Sequence, residues 1–187
     1  MNALRFLLLL GLVLIAASSG FLFHQSQLKA RSGYTDTNQI REQPPANVLD
    51  WTFLDVNGDE RLIRDWSQSL LVLNFWATWC PPCLTEIPGF ISIQENYGGK
   101  GVQFVGIALD SAMAVRAFQE SNNVNYPLLI GEDDVIAYMR LLGNSIGALP
   151  YTVIISQAGE ILYSHNGEWL ESSARVVIDN LLAKNTN

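Results

Sequence analysis

The sequence predicts an α/β domain in which a central mixed sheet is covered by helices on both faces. The first observation is two largely apolar runs, LLVLNF at 70–75 and VQFVGIAL at 102–109, which are typical of strands that a sheet buries on both faces. The second is that a segment with helical patterning follows each run. The third is that both cysteines of the chain lie where the first strand ends and its helix begins.

The elements before and after the first buried strand follow from turn residues and periodicity. Residues 48–63 predict a β-hairpin that turns at Asn57–Gly58, a pair that favours tight hairpin turns. After the strand, residues 81–97 have a helical pattern with Pro88 inside it. The glycine-rich GGKG at 98–101 predicts the end of this helix.

The C-terminal half of the chain continues the alternation of strands and helices. After the strand at 102–109, a helix is expected over about 112–121, with Asp110 or Ser111 as its cap. The elements expected next are a strand at 126–130, a short helix over 133–143, a hairpin of strands within 151–165 that turns at 157–159, and a closing helix over about 171–184.

The N-terminal segment is apolar and differs from the rest of the chain. Residues 6–23 contain no charge over 18 positions, which is at the lower edge of what spans a bilayer as a helix. We therefore expect 1–24 to be a signal anchor, or a signal peptide cleaved after small residues, and 25–46 to be a polar tether. The domain, 47–187, is then expected on the extracytoplasmic (periplasmic) side of the cell membrane, because such segments usually serve export.

Charge and cysteine count exclude several functions for the domain. From Pro44 onward there are seven Lys and Arg residues against 16 Asp and Glu residues, a net charge of −9. Nucleic acid is therefore not an expected partner. A small exported domain held together by disulfides would carry more than two cysteines. A disulfide between positions 80 and 83 would close a very small loop and stabilise little, which favours a reactive site.

The spacing of the two thiols favours redox chemistry. A thiol reacts as its thiolate, and the N–H groups at a helix N-terminus stabilise that anion. Cys80 would lie at this terminus and attack a disulfide, while Cys83, one turn inside, would resolve the mixed disulfide. Pro81 and Pro82 lack N–H groups. We expect them to stabilise the Cys80 thiolate less than other residues would, which favours a reducing protein.

The stretch WCPPC behind LLVLNFWAT resembles the thioredoxin superfamily, and within it the membrane-anchored TlpA/ResA-like thiol-disulfide oxidoreductases. The resemblance covers roughly residues 48–184. It implies a thioredoxin-like fold with an N-terminal β-hairpin and, over 110–130, the insertion of TlpA-like domains. It also implies that Pro88 kinks the active-site helix and that Pro150 is a cis-proline that faces the dithiol and guides a substrate backbone.

The resemblance further implies roles for residues near the dithiol. Trp79 and Leu149 would bind substrate together with Pro150. Asn74 occupies a position that holds a buried acid in minimal thioredoxins, and Glu86 matches an acid of ResA-like members. Glu86 lies one turn after Cys83 on the same helix face, so its carboxylate is expected to assist catalysis. The alternative is a solvated glutamate on the helix surface.

Other functions remain open beside the reduction of protein disulfides. A narrower one is cytochrome c maturation, although Tyr151 stands where such members often carry an acid. A thiol peroxidase and a non-catalytic binding module are further alternatives on the same fold. Two cysteines and two histidines do not favour a zinc site, and we expect no metal and no other cofactor. The expected partners are disulfide-bearing client proteins and a membrane electron donor.

Overall fold

A seven-stranded mixed sheet forms the centre of the computed structural model, which describes residues 47–68 and 70–185. The strand order is β2-β1-β5-β4-β3-β6-β7. Strands β3, β4 and β5 are parallel to one another, whereas the other neighbouring pairs are antiparallel. The strands are β1 (Thr52–Asp55), β2 (Glu60–Leu62), β3 (Leu70–Trp76), β4 (Val102–Leu109), β5 (Leu128–Gly131), β6 (Tyr151–Ser156) and β7 (Ile161–Asn166).

Four helices cover the two faces of this sheet, as predicted. They are α1 (Pro81–Tyr97), α2 (Ala112–Asn122), α3 (Asp133–Leu141) and α4 (Glu171–Asn185). Helices α1, α2 and α4 pack on one face, here called the α1 face, against a cluster that includes Val72 and Phe104. Helix α3 packs on the opposite face, here called the α3 face, against Leu73 and Phe75. Short 3-10 turns occupy 48–50, 63–66 and 98–100.

Local signals in the sequence account for the ends of these elements. The hairpin of β1 and β2 turns where Gly58 has a φ of +87°, a conformation that glycine adopts without a steric penalty. Helix α2 is capped by Ser111, whose hydroxyl accepts from the Ala114 N–H at 3.3 Å. Helix α1 continues through Pro88 to Tyr97. These features confirm the predicted hairpin, one of the two proposed caps and the long first helix.

The segment expected to be an insertion, 110–130, contains helix α2 and most of strand β5. Strand β5 pairs in parallel with β4 and antiparallel with β1, so it joins the N-terminal hairpin to the rest of the sheet. The strand itself spans Leu128–Gly131, slightly later than the predicted 126–130. Pro127 explains the shift, because it lacks the N–H that a ladder residue donates.

Strand directions bring four loops to one edge of the sheet, which we call the dithiol edge. Strands β3, β4, β5 and β7 end there and β6 begins there. The four loops around the dithiol are 77–80, 110–111, 142–150 and 167–170, whereas Glu132, which follows β5, lies farther along the same edge. Loop 142–150 reaches this edge beside the first turn of α3, since a Cβ on Gly147 would lie 3.7 Å from the Ile136 side chain.

The expected anchor, 1–24, and tether, 25–46, lie outside the described residues. Among the helices that are described, none combines the length and the apolar character needed to cross a bilayer.

Candidate active site

Strand β3 leads directly into the two cysteines. Its seven residues are all buried, and loop 77–80 carries the chain from the strand to the start of α1. Cys80 is the N-cap of α1 and Cys83 lies in its first turn. The two form a disulfide with their Cα atoms 5.3 Å apart. Cys80 is 5% exposed and Cys83 is 0% exposed, so the sulfur nearer to solvent belongs to Cys80.

The start of α1 offers few hydrogen-bond donors to these sulfurs. The first two helical positions are Pro81 and Pro82, which have no N–H. The Leu84 N–H donates to the Cys80 carbonyl at 3.2 Å. Among the first three residues of α1, only Cys83 has a backbone N–H. A Cys80 thiolate is therefore stabilised less than at a helix start with its full set of donors.

Asp110 holds the loop that presents Cys80. One carboxylate oxygen of Asp110 accepts from the Thr78 backbone N–H at 3.0 Å and from the Thr78 hydroxyl at 2.5 Å. The other accepts from the Ser111 N–H at 2.7 Å. The sequence suggested Asp110 only as a possible helix cap, and Ser111 takes that role. Asp110 instead ties the end of β4 to the loop before the dithiol.

The residues expected to bind substrate lie at the same edge of the sheet. The Leu149–Pro150 peptide bond is cis, which confirms the predicted geometry. Tyr151, the next residue, pairs with Phe75 near the end of β3, and Pro150 is buried. Leu149 packs against the cluster that contains both cysteines. Trp79, beside Cys80, is 63% exposed, and the substrate-binding role of these residues remains a prediction.

Glu86 lies in a buried polar cluster beneath the dithiol. Its side chain is 3% exposed, so the interpretation as a solvated surface residue is wrong. Asn74 Nδ2 donates to Glu86 Oε1 at 2.7 Å and to the Thr152 hydroxyl oxygen at 3.0 Å. The Trp169 backbone N–H donates to Glu86 Oε2 at 2.9 Å. The Glu86 carboxyl is thus hydrogen-bonded to Asn74, a side chain that cannot itself titrate.

Helix α4 approaches α1 closely enough to bring Trp169 to this cluster. A Cβ on Gly89 would lie 2.8 Å from the Glu171 Cβ, so a larger residue at position 89 would push the start of α4 away. The Trp169 indole stacks on Tyr163 and on His165, with ring centroids 5.3 Å apart in both cases. These contacts fix the loop whose N–H holds the Glu86 carboxyl.

Burial makes Glu86 a group that titrates near neutrality. Desolvation raises the pKa of Glu86 to about 7, and the negative charge of Glu168 adds to the rise. The hydrogen bonds from Trp169 and Asn74 oppose this rise because they stabilise the carboxylate. Asn74 Oδ1 is buried without a hydrogen-bond partner. If Glu86 is protonated, a half-turn of the Asn74 amide lets this oxygen accept the new O–H.

Sequence reasoning did not find Thr152 or Trp169 as members of the site. Thr152 looks like an ordinary β-branched strand residue, and Trp169 lies in a short loop far along the chain from Glu86. In the sequence, only the nearby Pro150 indicated that the start of β6 belongs to the site. The structure brings both residues to Glu86 through strand pairing and helix packing.

The comparisons with known proteins agree with this geometry. A sequence profile described as the AhpC/TSA family matches residues 45–164. The chain belongs to the AhpC/TSA family. It is 30% identical over 140 residues to the thiol-disulfide oxidoreductase ResA of Geobacillus kaustophilus, covering 72% of this chain and 78% of that one. It is 27% identical over 172 residues to the thioredoxin-like protein YneN of Bacillus subtilis, covering 90% and 93%.

Solved structures share the fold of this AhpC/TSA member. A thiol:disulfide interchange protein of the thioredoxin family from Chlorobium tepidum superposes with a TM-score of 0.65 at 22% identity, covering 75% of this chain and 98% of that chain. A thioredoxin-related protein from Neisseria meningitidis superposes with a TM-score of 0.55 at 29% identity, covering 62% and 86%. These matches confirm the thioredoxin-like fold, and the sequence match to ResA confirms the predicted resemblance.

Proposed function

We propose that the protein is an extracytoplasmic thiol-disulfide oxidoreductase that reduces disulfides of client proteins through Cys80 and Cys83. The observation that carries the proposal is the disulfide at the start of α1 with a buried carboxyl, Glu86, one turn further along the same helix face. The relatives named thiol-disulfide oxidoreductases support the same chemistry.

Reduction of a client proceeds by two exchanges of sulfur–sulfur bonds. The Cys80 thiolate attacks one sulfur of the client disulfide, which breaks that bond and releases the second client sulfur as a thiolate. The Cys83 thiolate then attacks the Cys80 sulfur and releases the first client sulfur. Two electrons pass to the client, which becomes a dithiol, and the protein ends with its Cys80–Cys83 disulfide.

We infer that Glu86 takes the proton that Cys83 must lose. Both side chains are buried, and three residues on a helix separate neighbours on one face. A carboxyl with a pKa of about 7 exchanges protons at neutral pH without a large energetic cost. The proton then passes from Cys83 to Glu86, and from there to a departing client thiolate.

The direction of reaction is argued from the start of α1. Because Pro81 and Pro82 supply no N–H, the reduced form gains little from thiolate stabilisation. Strong oxidants of this chemistry owe their potential to a stabilised reduced form. A weakly stabilised thiolate therefore favours a protein that gives electrons to its clients.

The location and the electron donor complete the proposal. The uncharged run 6–23 and the polar segment 25–46 support a membrane-tethered domain outside the cytoplasm. The chain contains only two cysteines, so an external electron donor must reduce the disulfide after each turnover. We place this donor in the membrane, within reach of the tether. Cytochrome c maturation is not favoured as the client role, because Tyr151 stands where such members often carry an acid and is turned into the core, where its hydroxyl donates to the Leu142 carbonyl.

The equilibrium potential against glutathione tests the proposed direction. A value near that of thioredoxin, about −270 mV, is expected, whereas a value near about −120 mV would identify an oxidant. The matched control is the variant with both Cys80→Ala and Cys83→Ala, which cannot exchange disulfides. Turnover of hydrogen peroxide above this control would instead favour the thiol peroxidase alternative.

A further inference from the structure

The four loops of the dithiol edge combine exposed apolar side chains with negative charge. Loops 77–80, 110–111, 142–150 and 167–170 contain two acids, Asp110 and Glu168, and no lysine or arginine. Three large apolar side chains in these loops are exposed: Trp79 at 63%, Ile146 at 83% and Leu170 at 61%. Exposed apolar groups at the sheet edge that carries a reactive pair indicate a surface that meets a partner.

The two acids of these loops differ in whether their carboxylates already have partners. The Asp110 carboxylate is occupied by Thr78 and by the Ser111 N–H. Glu168 is exposed, and none of the ion pairs found within 47–68 and 70–185 involves it. Its neighbour Trp169 donates the N–H that holds Glu86. An unpaired acid thus lies one residue from the group that holds the buried carboxyl.

Given the proposed function, we propose that Glu168 is a specificity-determining residue, which selects client segments with a lysine or arginine beside the disulfide. The apolar side chains of Trp79, Ile146 and Leu170 form the surrounding surface, which takes large apolar side chains of the same client segment. The occupant is therefore a cationic, partly apolar stretch of a client protein, held while Cys80 attacks its disulfide.

Two features of the structure support this choice of occupant. The surface is continuous with the dithiol, since all four loops end at the same edge of the sheet. Its charge is complementary to a cation, because the loops hold acids only. A client cation beside Glu168 would also weaken the repulsion that this residue exerts on Glu86. Glu86 then ionises more readily when a matching client is bound.

The charge preference is tested with two cystine peptides that differ only in an arginine or a glutamate beside the disulfide. The full-length chain in non-ionic detergent is expected to reduce the arginine peptide with a kcat/KM about two- to fivefold higher at low salt, the range of one exposed ion pair. Glu168→Lys is expected to invert this ratio. In 1 M salt the ratio should approach one, because screening then extends only about 3 Å. The matched control is Glu160→Lys, which makes the same change of charge at an exposed residue at the opposite end of the sheet and should leave the ratio unchanged.

The apolar preference is tested with a second pair of peptides that carry leucine or serine beside the disulfide. Leu170→Ser and Ile146→Ser should each lower the preference for the leucine peptide by a few-fold. Ile161, at the opposite end of β7, is 47% exposed, so Ile161→Ser is the control that removes a similar side chain elsewhere. Its preference should match that of the unaltered protein.

The outcomes separate this inference from the proposed function. The selection by Glu168 would be overturned if Glu168→Lys left the ratio of kcat/KM for the arginine and glutamate peptides unchanged. It would also be overturned if Glu160→Lys changed this ratio equally. Failure to exchange with the small neutral hydroxyethyl disulfide would instead overturn the reductase itself. In that case, the selection by Glu168 is still tested by measuring how tightly the protein binds the same peptides with serine in place of cysteine. A preference for arginine that Glu168→Lys reverses supports the surface, and equal binding refutes it.

Discussion

The two faces of the sheet bury polar groups in different ways. On the α3 face, the hydroxyls of Tyr138 and Tyr151 donate to the carbonyls of Val48 and Leu142, at 2.8 and 2.7 Å. Burial raises the pKa of both Tyr138 and Tyr151 above the ordinary value, so neither proton is released near neutrality. On the α1 face, the buried polar group is Glu86, whose pKa is about 7.

The difference teaches which half of the core is specialised for chemistry. Each tyrosine on the α3 face has one fixed acceptor and anchors a neighbouring segment, so its role is to hold the fold. The α1 face keeps a carboxyl that can gain or lose a proton, beside an Asn74 oxygen without a partner. Buried polar groups with incomplete partners cost stability. An unpaired buried N–H also lies on the α3 face, at Trp51 Nε1. We therefore infer that the ionisable carboxyl, rather than the unpaired atom, is what the α1 face retains for the reaction of the disulfide.

The largest expected effect comes from removing either cysteine, which should stop turnover while the α3 face remains intact. Cys83→Ala is expected to accumulate mixed disulfides with clients, because Cys80 still attacks and nothing resolves the product. Cys80→Ala should accumulate none. Non-reducing electrophoresis followed by mass spectrometry measures the adducts. If Cys80→Ala is the variant that traps clients, the roles of the two thiols are inverted.

Truncating a side chain of the α3 face should lower stability without changing redox behaviour. Leu73 is fully buried on that face, and Leu73→Ala is expected to lower the free energy of unfolding by about 2–5 kcal/mol. Urea denaturation measures this loss, and the glutathione equilibrium should be unchanged. The control is Leu54→Ala, since the Leu54 side chain is 45% exposed. A changed redox potential in Leu73→Ala would show that the two faces are not separate.

The buried carboxyl of the α1 face should make stability depend on pH. Glu86 binds its proton more tightly in the folded chain, because its pKa rises from 4.5 to about 7. Its contribution is therefore present below about pH 4.5 and is lost as pH rises towards about 7. The loss is up to about 3 kcal/mol, since each tenfold change in proton affinity is worth about 1.4 kcal/mol.

Glu86→Gln isolates this contribution. Urea denaturation of the oxidised protein between pH 4 and 8 should show a smaller fall in stability for the variant than for the unaltered protein. Glutamine remains compatible with the site, because a turned Asn74 amide can accept from its Nε2 while its oxygen accepts from Trp169. Parallel curves for the two proteins would mean that Glu86 has the same proton affinity folded and unfolded.

The smallest expected effects come from two adjacent residues that point to opposite faces. Tyr151→Phe and Thr152→Val each remove one buried hydrogen bond, worth about 1 kcal/mol. Only Thr152→Val should raise the pKa of Glu86, because the Asn74 amide is then free to turn its oxygen towards a protonated carboxyl. Carbon-13 NMR of the Glu86 carboxyl measures this titration. Equal shifts in both variants would contradict the separation of the faces.

Much of the fold could be predicted because its signals are local. The buried runs at β3 and β4, the hairpin turn at Asn57–Gly58 and the helix that begins after Cys80 each depend on neighbouring residues. The dithiol itself was evident from the spacing of two cysteines at a strand–helix junction. Asp110 shows the limit of local reasoning. Its position favours a helix cap, yet the pairing of β3 with β4 offers it Thr78 instead.

The sequence alone determined the fold class and the reactive pair, because strand periodicity, helix starts and turn residues act over a few positions. Only the tertiary structure decided that Glu86 is buried rather than solvated. Its partners, Asn74 and Trp169, lie 12 and 83 residues away along the chain. Their approach depends on the pairing of strands and on the close packing of α4 at Gly89. The proton affinity of Glu86 follows from that desolvation, a property that no short stretch of sequence specifies.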